Sequence, residues 1–136
     1  MKFIFVTIIS VVFFYHAQSQ VMSQRPQWIT IKSENLRCWE CKERLENYLV
    51  KANYAEMDNG MLQRKYNLFS GEIRIQYLPD RVTPDLLRTV INNAGFDADS
   101  TKAEETAYKS LPPVCKRAED GGGPKLRKNC QVEPVN

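Results

Sequence analysis

Apolar and polar residues alternate from Trp28 to Ser33, with Ile29 and Ile31 on one face and Thr30 and Lys32 on the other, as in a strand with one buried face. From Glu40 to about Tyr54 the period lengthens to that of a helix. Cys41, Leu45, Tyr48, Leu49 and Ala52 share one side, while Lys42, Glu43, Glu46, Asn47 and Lys51 take the other. Asp58, Asn59 and Gly60 mark the helix end and a turn. Met61 to Phe69 reads as a second strand with Leu62, Tyr66 and Leu68 inward and Arg64 as the misfit. Ser70 and Gly71 supply a tight turn, and Glu72 to Tyr77 alternates most cleanly, with Ile73, Ile75 and Tyr77 on one side. These two strands are predicted to form a hairpin.

Pro79 ends the third strand because it has no N–H to donate. Thr83 followed by Pro84 is an N-cap and first-turn signal, and Asp85 suits the positive end of the helix dipole. Leu86, Leu87, Val90, Ile91 and Ala94 line one face of this second helix, and Gly95 stands just beyond it as a C-cap. Phe96 to Asp99 is short enough to be only an abortive edge strand. The order β-α-β-β-α, with a last strand short or absent, predicts an α+β domain over 28–100. Two helices on one face of an antiparallel sheet would bury both amphipathic sets.

The flanking segments differ in character. Residues 1–19, with Lys2 before an apolar run from Phe3 to Tyr15 and small residues after it, read as a signal peptide. The run is too short to span a bilayer comfortably, so no stable membrane insertion is expected. Residues 20–27 form a polar leader. Residues 101–117 form a short helical extension through Ala103, Ala107 and Leu111 that Pro112 and Pro113 stop. Residues 118–136, with Gly121, Gly122, Gly123 and Pro124 before Lys125, Arg127 and Lys128, have too little apolar content to pack and read as a flexible tail. Localisation is then periplasmic or secreted.

Charge narrows the partners. Lys and Arg number 19 against 16 Asp and Glu, too even a balance for a nucleic-acid binder. The one histidine, His16, lies in the signal segment, so the exported part has neither a histidine-based catalytic triad nor a histidine metal ligand. The carboxylates Asp97, Asp99, Glu104 and Glu105 read as solvated turn and helix faces rather than converging acid–base groups, and no enzyme is expected. Tyr66 and Tyr77 read as cross-strand packing partners. Four cysteines remain: Cys38, Cys41, Cys115 and Cys130. In an oxidising compartment an even count is by default two disulfides, and four cysteines allow three pairings.

Cys38-Trp39-Glu40-Cys41, taken with the element order, resembles the heavy-metal-associated domain of copper chaperones and periplasmic mercury-binding proteins. The likeness covers about Ile29 to Asp99. Ser70-Gly71-Glu72-Ile73 is similar to that family's hairpin, Tyr77-Leu78-Pro79 to the end of its third strand, and Val82-Thr83-Pro84 with Ala94-Gly95-Phe96-Asp97-Ala98 to its second helix and exit. Asn35, Leu36 and Arg37 stand where the family usually has Gly-Met-Thr, and the segment from Lys102 to Cys115 lies outside the ordinary module. The resemblance implies a ferredoxin-like βαββαβ sandwich with a four-stranded antiparallel sheet, and Cys38 and Cys41 as metal ligands.

Two thiolates so spaced can converge on one soft ion, Cu(I) or Hg(II), when one lies in a loop and the other on the first helical turn. Helix N–H groups, Lys42 and Arg37 would favour the thiolates. Cys115 could add a third ligand, and Trp39 would either shape partner contact or cover the helix end. The leading expectation is a monomer that buffers a soft ion or hands it to a metal-transporting membrane protein or another acceptor. The alternatives are a thiol–disulfide redox pair, a disulfide-stabilised structural or interaction domain, and a four-cysteine Zn(II) site, whose spacing here does not resemble paired knuckles.

Overall fold

In the computed structural model, residues 25–125 and 129–135 are described; the expected signal peptide and the first part of the leader, 20–24, lie outside them, as do 126–128 and 136. Strand β1 (Gln27–Lys32) leads into helix α1 (Trp39–Glu56). The hairpin β2 (Met61–Asn67) and β3 (Glu72–Tyr77) follows, then helix α2 (Pro84–Asn93) and a short helix α3 (Glu105–Ser110). The sheet is antiparallel with order β1-β3-β2, so β3 is central. In β1 and β3 the predicted alternation sets the register, Ile29 opposite Ile75 and Ile31 opposite Ile73. These residues face α1 and α2, whose buried residues are Cys41, Leu45, Leu49 and Ala52 on one helix and Leu87, Val90 and Ile91 on the other. Phe96, wholly buried, joins the same core. The chain is a βαββα ferredoxin-like sandwich with its two main helices over a three-stranded sheet.

The local signals act as expected where they are local. Thr83 caps α2 by accepting a hydrogen bond from the Leu86 N–H at 3.2 Å. Asp58 and Asn59 turn the chain with φ of 46° and 54°, and the Asn53 amide seals the corner by bonding both the N–H and the C=O of Met61. Gly95 has φ of 94°, and a Cβ there would come within 3.0 Å of the Ala107 backbone; only glycine fits at this close approach.

Strand β2 departs from its predicted facing. A register shift between Met61 and Gln63 makes Leu62 the extra residue of a bulge, so Met61 turns inward and Leu62 is left 43% exposed. The expected fourth strand, Phe96 to Asp99, does not form and is reduced to one contact with β1 at Asp99. Asp99 donates its N–H to the Lys32 C=O at 2.8 Å and accepts the Lys32 N–H on its carboxylate at 2.9 Å, and the chain then turns away at an Ala98–Thr101 bridge.

The extension folds back over this domain. Helix α3 starts at Glu105 because the Glu104 carboxylate accepts the N–H groups of Thr106 and Ala107. Leu111 and Cys115 enter the core. The segment read as a flexible tail carries a 3-10 turn at Ala118–Asp120 and returns to the start of α1, where the Trp39 N–H donates to the Cys130 C=O.

Candidate functional site

The region singled out by the cysteine motif is built from the β1–α1 loop, the start of α1 and the C-terminal extension. Cys38 occupies the N-cap of α1 but offers no side-chain cap to its N–H groups, and Cys41 sits one turn in on the buried face. Their sulfurs diverge. Cys41 is bonded to Cys115, with Cα atoms 5.4 Å apart, and Cys38 to Cys130, with Cα atoms 4.8 Å apart. No cysteine is free. Cys41 and Cys115 are wholly buried, and Cys38 is 4% exposed.

This pairing overturns the metal reading. Cys38 and Cys41 do not form a thiolate pair; each has given its sulfur to the extension. A disulfide sulfur lacks the negative charge that makes a thiolate a ligand for Cu(I) or Hg(II), so the donor set does not fit a soft ion. Cys115 does reach Cys41, but as a covalent partner rather than a third ligand. Among the described residues no group of three or more histidine, cysteine, aspartate or glutamate side chains is placed to hold a metal. With the cargo goes the ground for expecting delivery to a metal transporter. The two cations expected to favour thiolates are also engaged elsewhere. Arg37 donates to the C=O groups of Glu34 and Phe69, and Lys42 pairs with Glu43 at 2.8 Å while lying 4.2 Å from the centre of the Trp39 ring.

Around the disulfides lies a polar frame that residue patterns did not reveal. Asn35, 1% exposed, uses its whole side chain. Its amide donates to the C=O of Gly95 at 3.1 Å and of Cys115 at 3.0 Å, and its carbonyl accepts from the Asp97 N–H at 2.9 Å and the Ser33 hydroxyl at 3.2 Å. One side chain thereby ties the β1–α1 loop, the exit of α2 and the Cys115 turn. Nothing in the spacing of Asn35 marks this role, because apart from Ser33 its partners lie 60 to 80 residues away.

Asp97 corrects the expectation of a solvated turn carboxylate. Its side chain is 2% exposed, accepts two guanidinium bonds from Arg117 at 2.7 and 2.5 Å, and accepts the Ala103 N–H at 2.9 Å. Burial pushes its pKa up, but the Arg117 hydrogen bonds and the Ala103 N–H outweigh it and hold the carboxyl below the usual range. Arg117 is correspondingly raised by Asp97. Arg64, the misfit in β2, has a similar explanation: it makes a forked pair with Glu46 of α1, to which Tyr66 also donates its hydroxyl proton. Tyr66 is thus a partner of Glu46 rather than of Tyr77, and burial followed by the Glu46 contact pushes its pKa up. The signal for this pair was present in the sequence, since a charged residue on an otherwise inward face needs a counter-charge.

Trp39 is half-buried and packs against the core, beside a cleft of about 1060 Å³ walled by Pro113, Val114, Pro124 and Val132 and adjoining the Cys38–Cys130 bond. The arrangement as a whole is a clamp: two covalent bonds, one amide and one ion pair fasten the extension across the mouth of α1.

No known family model matches the chain, and no curated protein matches it. Among solved structures, the chain is similar to a candidate copper-ion-binding protein from Bacillus anthracis strain Ames, at 23% identity with a TM-score of 0.47, over 57% of this chain and all of that one. It is also similar to the CopZ metallochaperone, at 22% identity with a TM-score of 0.42, over 53% of this chain and 98% of that one.

Proposed function

We propose that the chain is an exported, disulfide-stabilised interaction domain, a rigid platform rather than a carrier of reactive thiols. The observation that carries this reading is that both members of the Cys38-Trp39-Glu40-Cys41 motif are bonded to cysteines of the extension, 92 and 74 residues away. Bonds of this kind persist in oxidising compartments, which agrees with the signal-peptide pattern of residues 1–19. Among the described residues no helix is long and apolar enough to cross a membrane. A thiol–disulfide catalyst needs a sulfur that a partner can attack, and the burial of Cys38, Cys41 and Cys115 speaks against that alternative.

The test is alkylation of the denatured, unreduced protein isolated from its native compartment, followed by peptide mapping. Absence of free thiols, with cross-linked peptides joining Cys38 to Cys130 and Cys41 to Cys115, is the expected result. A Cys38–Cys41 bridge, or free thiols at both positions, would overturn the proposal.

A further inference from the structure

The helices and the extension cover one face of the sheet, and the opposite face is formed by residues that alternate with the core. Across it, Trp28 of β1 stands opposite Gln76, which stands opposite Gln63; the next row is Thr30, Arg74 and Lys65. Trp28 is 40% exposed. Its ring centre lies 5.3 Å from the Arg74 guanidinium and 5.4 Å from the Lys65 ammonium, so two cations from neighbouring strands converge on one aromatic ring. Among the described residues neither cation has a carboxylate within salt-bridge distance, in contrast to Arg64, Arg88 and Arg117 on the other side of the molecule. Lys32 adds a third positive charge and Glu72 one negative, which leaves the face basic.

We infer that this face binds a linear anionic polysaccharide. The part of the Trp28 ring that the two cations leave uncovered offers an apolar surface for the C–H face of a sugar. Arg74 and Lys65 are held beside the ring by cation–π attraction, so less side-chain freedom is lost when they pair with a carboxylate or sulfate. The amides of Gln63 and Gln76 and the Thr30 hydroxyl can both donate to and accept from sugar hydroxyls. Single-stranded nucleic acid fits less well, since it is held by successive aromatic platforms and a long cationic track, whereas this face has one ring and few cations. The inference rests on the exported, disulfide-bonded reading, in which anionic glycans are among the polymers the chain would meet.

Isothermal titration of the full disulfide-bonded chain at low salt tests it, with heparin, polygalacturonate, neutral dextran and oligo(dT) as probes. Binding is expected to heparin if sulfate is read and to polygalacturonate if carboxylate is read, with none to dextran. Trp28→Ala and Arg74→Gln should each weaken it by about 10-fold, and Lys51→Gln on the helix layer should change it by less than about 2-fold. Lys65→Gln supplies the same test should Trp28→Ala disturb the strand. Three outcomes overturn the inference: no binding of either anionic glycan, equal or tighter binding of oligo(dT), or glycan binding indifferent to Trp28 and Arg74. A free-thiol count on the same sample separates this failure from failure of the disulfide reading, since an intact, thiol-free protein that ignores glycans refutes only the surface assignment.

Discussion

Because the Cys41–Cys115 loop is nested inside the Cys38–Cys130 loop, removing both bonds should cost more than the sum of removing each. In the chain-entropy view, a 74-residue loop closed alone restricts the unfolded chain by about 4.4 kcal/mol, and a 92-residue loop by about 4.6 kcal/mol. With the inner bond intact, however, the outer bond closes only the short path through Cys38–Cys41 and Cys115–Cys130. That path is about 19 residues and is worth about 3 kcal/mol. The inner bond, added when the outer is intact, is likewise worth about 3 kcal/mol. Either single removal, made as Cys38→Ala with Cys130→Ala or as Cys41→Ala with Cys115→Ala, should therefore cost about 3 kcal/mol, and the quadruple change about 7 to 8 kcal/mol. The inner pair should lie at the upper end, because two wholly buried sulfurs lose their packing as well. Urea unfolding of the four proteins, followed by far-ultraviolet circular dichroism and tryptophan fluorescence, gives the double-mutant cycle. The expected coupling is about 1.4 kcal/mol, with the second removal the costlier. If both single removals each cost under about 1 kcal/mol, or the losses add without coupling, the nested-loop account is wrong.

Two further predictions concern the polar frame. Asp97 has a folded pKa below its unfolded value, so its contribution is complete above about pH 4 and fades as pH falls through the lower folded value. Thermal melts from pH 7 to pH 2 should show this loss, and Asp97→Asn should remove that part of the acid slope while costing on the order of 2 kcal/mol at pH 7, since Arg117 then keeps only its 3.4 Å contact with Asp120; an unchanged acid profile would contradict it. Asn35→Ala leaves the C=O groups of Gly95 and Cys115 and the N–H of Asp97 without their partner, and should cost on the order of 3 kcal/mol by urea unfolding, with amide exchange accelerated first at Asp97. A loss under about 1 kcal/mol would mean that water replaces these bonds without penalty.

Local chemistry was legible residue by residue. The alternation of Ile29 and Ile31 and of Ile73 and Ile75, the Thr83-Pro84 start, the Asp58-Asn59-Gly60 turn and the helical face of Cys41, Leu45 and Leu49 each depend on neighbours within a few positions. Leu62 was misread because a bulge shifts facing by one residue without leaving a mark in the hydrophobic pattern. Arg64 announced a counter-charge but could not say that it was Glu46. Asp97 resembled any turn carboxylate until Arg117 was brought to it.

The sequence by itself determined the order of the main strands and helices, most of the faces they bury and the presence of four cysteines, one of them on the buried face of a helix, because side-chain periodicity and backbone preference act over short distances. Only the tertiary structure decided which sulfurs meet. That choice depends on the extension crossing the mouth of α1 and bringing together residues 74 and 92 positions apart, a distance over which local patterning carries no information. Cys38 and Cys41, neighbours in sequence, were thereby directed to separate partners and to a clamp instead of a ligand pair.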